Sequence, residues 1–244
     1  MTRPGQIVTD AVADFTAATT KDELWALLHH HLDRFGIGRI LYGAEATPQA
    51  GRTHDFMLSS YDPAFLADKI DQGLFETDEY VRASRFETQP ILWSETERLQ
   101  DLPPDARRSL DLDYDYRVLT GVTLPLPFAN GLGRAGIGLH APDMAWSEFD
   151  RLWEENQRTI CAIVNAFDVT IRQSHAGEIF ALSPRERECL LWLAIGQRQQ
   201  QIAYRLGIHT KTVEKQIESA RRKLKAASVA QAVAIALTYG LLIP

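Results

Sequence analysis

Between Ser183 and Leu224 the chain sets three helix signals almost end to end, and this spacing most constrains what it can fold into. Ser183-Pro184-Arg185-Glu186 joins an N-cap serine, a proline at the first helical position and a glutamate three residues past the cap. Leu190, Leu193 and Ala194 then recur at helical spacing, and Gly196 is a natural stop. Ile202, Ala203 and Leu206 form a second short apolar stripe closed by Gly207, and only Ile208 and His209 precede the third helix. There Val213, Ile217, Ala220 and Leu224 share one face. Lys211, Lys215 and Arg222, with Glu218 among them, lie about 180° away at ~100° per residue. Taken alone, such a face reads equally well as solvated surface. Two short helices, a tight glycine turn and a basic amphipathic helix together are the parts of a helix-turn-helix, whose third element suits the major groove. A fourth stripe, Val229, Ala232, Val233, Ala236 and Leu237, either closes the small core or offers an apolar strip to a second copy.

Charge divides the chain in the same way. Residues 180–244 hold ten Lys/Arg and four Glu, a balance of +6, whereas the 179 residues before them hold 16 basic and 28 acidic groups, or −12. A basic segment on an acidic body predicts two domains, the basic one facing nucleic acid. No apolar run approaches the ~18 residues of a membrane span. The opening Met1-Thr2-Arg3-Pro4-Gly5 shows no signal peptide. Cys161 and Cys189 are too few for a disulfide framework and sit among apolar neighbours. A cytoplasmic protein without a membrane partner is expected.

The run from Leu182 to Gly196, then Ile202-Ala203, Leu206-Gly207-Ile208, Thr212-Val213, Ala220 to Leu224 and Ala230 to Ala236, resembles the LuxR-type DNA-binding domain. That family's characteristic Glu, Leu and Gly fall on Glu186, Leu190 and Gly196. Where the family usually carries Thr, Glu, Ser and His, this chain has Arg198, Gln201, His209 and Gln216. Loss of the Ser cap predicts a shift of the cap to Thr210. The resemblance implies a homodimer on double-stranded DNA with an inverted-repeat operator, half-sites about one helical turn apart. Phosphate contacts are expected from Arg198, Lys223 and their neighbours, and base contacts from Lys211, Thr212, Lys215 and Gln216. Thr210, Ser219 and Arg222 complete the candidate surface.

Ahead of this domain the patterning predicts helices near 7–18 and 20–35, a strand at Gly38–Ala46, and helices at Asp62–Gln72, Asp78–Phe86 and Pro104–Leu112. Strands at Gly121–Pro127 and Arg134–His140 and a long helix from Ser147 to about Ser174 follow. The expected architecture is α+β: an α-β-α sandwich over 1–172, a linker at 173–179 and a four-helix domain at 180–244.

This order is similar to the autoinducer-binding domain of the acyl-homoserine-lactone receptors of the same family. Asp78, Trp93 and Gly121 fit that family's Asp, second Trp and Gly, and Tyr61 fits an earlier pocket tyrosine. The resemblance implies that the Asp accepts a hydrogen bond from the ligand amide and that the second Trp packs near the lactone. The first Trp position holds Phe65, which keeps the ring and loses the donor. The pocket Tyr position holds Lys69, or Ile70 if the register slips by one, and the Pro after the Asp is Glu79. A lost donor costs roughly 1 kcal/mol or more where a polar group is left unpaired. Three readings stay open. The pocket takes an unusual acyl-homoserine lactone through Tyr61, Asp78 and Trp93; it takes a signal lacking the lactone; or Lys69 pairs with Asp78, fills the pocket and leaves an orphan regulator independent of ligand.

No cofactor is expected, and no catalytic constellation carries a local signature, so an enzyme is the weaker reading. So is a purely protein-binding N-terminal half. His29-His30-His31 cannot share a helix face and is not read as a metal site. His54 and His140 read as structural, Gly131-Leu-Gly133-Arg-Ala-Gly136 as a hairpin turn, and Asp111-Leu-Asp113-Tyr-Asp115 as a solvated acidic helix end.

Overall fold

The computed structural model describes residues 4–46, 56–128, 131 and 133–242. Residues 1–3, His54 and Leu132 of the reading above lie outside the described residues. The chain divides into two compact units, Met1–Asp168 and Val169–Pro244.

The first unit is built on a five-stranded antiparallel sheet in the order β2-β1-β5-β4-β3. Its strands are β1 (Arg39–Glu45), β2 (Phe56–Ser59), β3 (Ile91–Leu92), β4 (Gly121–Pro127) and β5 (Arg134–His140). Strand register sorts the side chains. Ile40, Tyr42 and Ala44 stand opposite Leu139, Ile137 and Ala135, which in turn face Val122, Leu124 and Leu126. All nine are buried. They form one apolar face, since partners in a pair project to the same side.

Helices α1 (Pro4–Ala17), α2 (Lys21–Asp33) and the first part of α6 (Trp146–Ser174) cover this face. Phe167 meets Phe15 at 6.2 Å and Tyr42 at 5.4 Å between ring centroids. The Tyr42 hydroxyl donates to Asp168 Oδ1 at 2.8 Å. Of the three consecutive histidines, His31 is buried with Nε2 2.8 Å from Asp14, while His29 meets Trp25 edge-on at 5.0 Å. The opposite face of the sheet is covered by α3 (Pro63–Asp71), α4 (Glu79–Ser84) and α5 (Pro104–Asp115). The α-β-α layering expected from the pattern is present. The two strands absent from the sequence reading, β2 and β3, have four and two residues, too few to display a period.

The second unit holds α7 (Ala176–Phe180), α8 (Pro184–Ala194), α9 (Gln199–Leu206), α10 (Thr210–Lys223) and α11 (Val229–Thr238). Residues 173–179, read as a linker, are largely helical, and the division between units falls inside α6. The predicted capping box is formed: Ser183 Oγ accepts from the Glu186 N–H at 3.2 Å, and Glu186 returns to the Ser183 N–H at 2.6 Å. Gly207 ends α9 in the left-handed conformation at φ 64°. Cys189, Ile202, Ala203, Val213 and Ile217 form the core, flanked by Trp192, Leu193, Leu206 and Ile208. Helix α11 packs on α8 and α10, burying Ala232, Ile235 and Ala236, while Val229 and Leu237 lie on its exposed side. Among the described residues no helix is long and apolar enough to cross a membrane.

Gly121 opens β4 where the sheet leaves no room for a side chain. A Cβ there would lie 2.1 Å from the Leu139 carbonyl oxygen and 2.9 Å from the Trp93 ring. Gly121→Ala is therefore expected to lower stability by about 3 kcal/mol, since overpacking a rigid backbone site forces displacement. Melting curves that match the parent chain would contradict this close approach.

Candidate functional site

Between the sheet and helices α3, α4 and α5 lies a cavity of about 80 Å³, room for several waters or the head of a small ligand. Its floor comes from β1 and β5, where Leu41 and Ile137 lie beside Gly43, Gly136 and Gly138, glycines that bare the backbone. Its walls are mostly aromatic: Tyr61, Phe65, Phe75, Tyr80 and Trp93. The Trp93 indole N–H is committed to Thr123 Oγ1 at 2.9 Å. Tyr61 stacks on His140 at 5.7 Å, and Phe65 lies 5.4 Å from Tyr61. Burial, then Arg39, pushes the His140 imidazole down to about 4, so it is neutral near pH 7.

The polar end is organised around one ammonium. Lys69 sits on α3, is 1% exposed, and reaches Asp78 Oδ2 at 2.7 Å and Asp113 Oδ1 at 2.9 Å. It also donates to Ser109 Oγ at 2.6 Å and lies 5.6 Å from the centre of the Phe65 ring. Asp78 is the N-cap of α4. Its Oδ1 accepts from the Tyr80 and Val81 N–H groups, both at 3.0 Å, and its Oδ2 also accepts from Ser109 Oγ at 3.2 Å. Burial opposes ionisation of Asp78, but the Lys69 charge and these hydrogen bonds together hold it below the usual carboxylate range. Burial likewise opposes the charge on Lys69, and the two carboxylates more than offset it. Among the described residues Asp113 is bonded only by Lys69, and burial plus the Asp78 charge push its carboxyl up to about 7.

Six residues expected at the pocket, Tyr61, Phe65, Lys69, Asp78, Trp93 and Gly121, converge here, with Gly121 acting by letting Trp93 lie against β4. Lys69 lines the pocket, whereas Ile70 is 57% exposed. The acidic run 111–115 needs a correction. Asp111 and Asp115 are exposed, but Asp113 is buried and turned to Lys69. Ala106, Ser109, Leu110 and Asp113 form the buried stripe of α5 at helical spacing, and that periodicity was the available signal. Tyr80 and Thr123 also escaped notice, being polar residues without a motif.

On α10, Lys211, Thr212, Lys215 and Arg222 are exposed, and Thr210, Gln216 and Ser219 are half-buried. Lys211 and Lys215 have no ion pair among the described residues; Glu214 lies between them in the chain, and Glu218, one turn on, is bound by Arg221 at 2.7 Å. Arg198 is exposed at the head of α9, where Gln201 accepts its backbone N–H at 2.7 Å, the role expected of the family's Glu. The cap does not move to Thr210: His209 holds the N-cap position without a side-chain bond, because its backbone is extended and Thr210 is already helical. Lys223 is exposed, and its ammonium is 2.8 Å from Glu186 Oε2 and 2.8 Å from the Ala181 carbonyl. Ser219 bonds the same carboxylate, which burial would raise but which Lys223, Ser219 and Ser183 hold down to about 2.

Residues 20–169 match the autoinducer binding domain family, and residues 181–236 match the luxR family of bacterial regulatory proteins. The chain is 24% identical over 243 residues to the transcriptional activator AnoR of Acinetobacter nosocomialis, covering 96% of this chain and 98% of that one. It is 25% identical over 195 residues to the transcriptional activator TraR of Rhizobium radiobacter, covering 75% and 79%. Among solved structures, Escherichia coli SdiA superposes with a TM-score of 0.54 at 18% identity, covering 97% of this chain and 98% of that one. SdiA in complex with octanoyl-rac-glycerol gives 0.56 at 18% identity, covering 100% and 98%. At that identity the likeness establishes the fold.

The shared ammonium has a pH signature. An unfolded aspartate titrates near 4, and the folded Asp113 carboxyl titrates at about 7. A raised carboxyl pKa means the folded domain holds the proton more tightly, so this group's contribution is full below about pH 4 and lost as pH rises through about 7. Asp113→Asn keeps an oxygen for Lys69 and removes that loss. Relative to the parent chain, its melting temperature should rise steadily between pH 4 and 8; a difference that stays flat would contradict the placement of Asp113.

Proposed function

We infer, for a chain that belongs to the LuxR family of bacterial regulators with an autoinducer-binding domain, that its sensor pocket is completed by its own lysine before a signal arrives. The chain is a transcriptional regulator of the quorum-sensing LuxR type, with a helix-turn-helix for DNA and a domain for a small-molecule signal. The contact between Lys69 Nζ and Asp78 Oδ2 at 2.7 Å carries the inference. Asp78 is the residue expected to receive a ligand amide, and Lys69 already gives it a charged donor. A buried carboxylate that lacks its usual ligand partner is costly; here that cost is met internally, and the domain folds without ligand. Reading a standard acyl-homoserine lactone through Asp78 requires breaking this pair, so an unusual or non-lactone signal fits the pocket better.

DNA is held through the outward face of α10. Lys211, Thr212, Lys215 and Gln216 face base edges, with Thr210, Arg198 and Arg222 toward phosphates. Lys223 and Ser219 instead support Glu186. The exposed apolar strip of α11, with Val229 and Leu237, suits a second copy, and a two-fold protein suits an inverted-repeat operator in the cytoplasm.

Two measurements test this. Protein made in a host without acyl-homoserine lactones is expected to melt cooperatively. Lys69→Ala, which strands two carboxylates, should cost about 3–5 kcal/mol, or roughly 10 °C at 2–4 °C per kcal/mol. An unliganded parent chain that does not fold, or a variant as stable as the parent, defeats the inference. For DNA, Lys215→Ala should weaken operator binding; a base contact relaxes specificity at one position, while a phosphate contact lowers affinity evenly and flattens the salt slope. Unchanged affinity would remove Lys215 from the interface.

A further inference from the structure

Two carboxylates share one ammonium at the polar end of the sensor cavity, and they are not equally served. Asp78 accepts from Lys69, Ser109 and the Tyr80 and Val81 N–H groups. Asp113 lines the cavity and accepts only from Lys69, through Oδ1, so Oδ2 has no donor among the described residues. Tyr61 lines the same cavity, is 8% exposed, and its hydroxyl has no hydrogen bond among the described residues. The charges of Asp113 and Asp78 reach this phenol and, after burial, push its pKa up. With both carboxylates ionised the cluster carries one negative charge in excess.

We propose that the pocket takes a small amphiphile with a protonated amine head, its ammonium read by Asp113 and Tyr61 and its alkyl chain laid over the glycine floor of β1 and β5. The proposal rests on the reading of this domain as a small-molecule receptor. An ammonium supplies the donors that Asp113 Oδ2 and the Tyr61 oxygen lack, and the faces of Phe65, Tyr80 and Trp93 add cation–π attraction. Charges then alternate from Asp78 to Lys69 to Asp113 to the ligand. An anionic head would set a further negative charge against Asp113, and a neutral amide would have to compete with Lys69 for Asp78. Gly43 and Gly136 are paired across β1 and β5 and Leu41 stands opposite Gly138, so an apolar chain meets bare backbone at the first pair and the Leu41 side chain at the second.

The site also has a pH dependence. The groups facing Asp113 are Lys69 from α3, Asp78 ahead of α4, and the phenols of Tyr61 and Tyr80, with Ser109 on its own helix. Burial and Asp78 push Asp113 up to about 7, whereas an alkylammonium, like a lysine, keeps its proton to about pH 10. Amine affinity therefore increases from pH 6 to pH 8.

The test uses the full chain, melting curves and tryptophan fluorescence with n-hexylamine, n-hexanol, hexanoate and N-hexanoyl-homoserine lactone at pH 6 and 8. Hexylamine is expected to raise the melting temperature with dose, and hexanol and hexanoate at equal concentration are not. Asp113→Asn should weaken hexylamine at least about tenfold, Tyr61→Phe should weaken it several-fold, and the parent chain should bind up to about tenfold tighter at pH 8 than at pH 6. If Asp113→Asn does not fold, Tyr61→Phe and the pH series decide. Absence of hexylamine binding, equal binding by these variants, or lactone binding lost in Asp78→Asn and untouched in Asp113→Asn overturns the proposal. The receptor reading fails separately, if none of the four compounds shifts the melting of a chain that folds and binds DNA unaided; lactone binding without hexylamine binding overturns the proposal alone.

Discussion

The buried ammonium of Lys69 is the interaction on which the sensor domain depends. Taking a charge out of water costs several kcal/mol unless geometry and hydrogen bonds return it. Here three elements supply that geometry: α3 carries the lysine, the turn before α4 carries Asp78, and α5 carries Ser109 and Asp113. No backbone ladder joins these helices, so the cluster aligns them and sets the depth of the cavity beneath. Because Asp78 also caps α4, the ion pair and the start of that helix are one arrangement. A change to one of these groups is felt by the others, as expected of a shared low-dielectric network.

The sheet decides where this network has room. On one face β1, β4 and β5 present a continuous apolar layer to α1, α2 and α6. On the other, glycines stand at Gly43, Gly136 and Gly138, and the space they leave is the pocket. Gly121 works differently. Its missing Cβ lets Trp93 lie against β4 and Leu139, and so places an aromatic wall beside the polar cluster.

The DNA-binding unit repeats the logic of a buried charge at smaller scale. Glu186 closes the capping box of α8 and is bound by Lys223 from the end of α10. One carboxylate thus satisfies a helix terminus and ties α10 to α8. Lys223 and Ser219 serve that task, and Lys211, Lys215 and Arg222 are exposed on the same helix. Arg221 binds Glu218 on the same helix.

Much was determined by local sequence. The Ser183 capping box, the glycine after α9 and the 3.6-residue stripes of α8, α10 and α11 are short-range signals, and they specified the helix-turn-helix before any tertiary contact was known. The three longer strands, the layering and the identities of Tyr61, Asp78 and Trp93 were legible for the same reason, as patterns within a window or residues at family spacing. Strands of four and two residues had no period to read, and the cap at His209 followed backbone geometry, not residue type. Only the tertiary structure could pair Lys69 with Asp113, 44 positions apart, or turn Lys223 to Glu186, 37 positions away. A charged residue reads as solvated until its partner is placed, because pairing depends on distance in space and not on neighbours in the chain. The sequence determined what this protein is built from and which family it joins; the packing of three helices over a glycine floor decided what its pocket can hold.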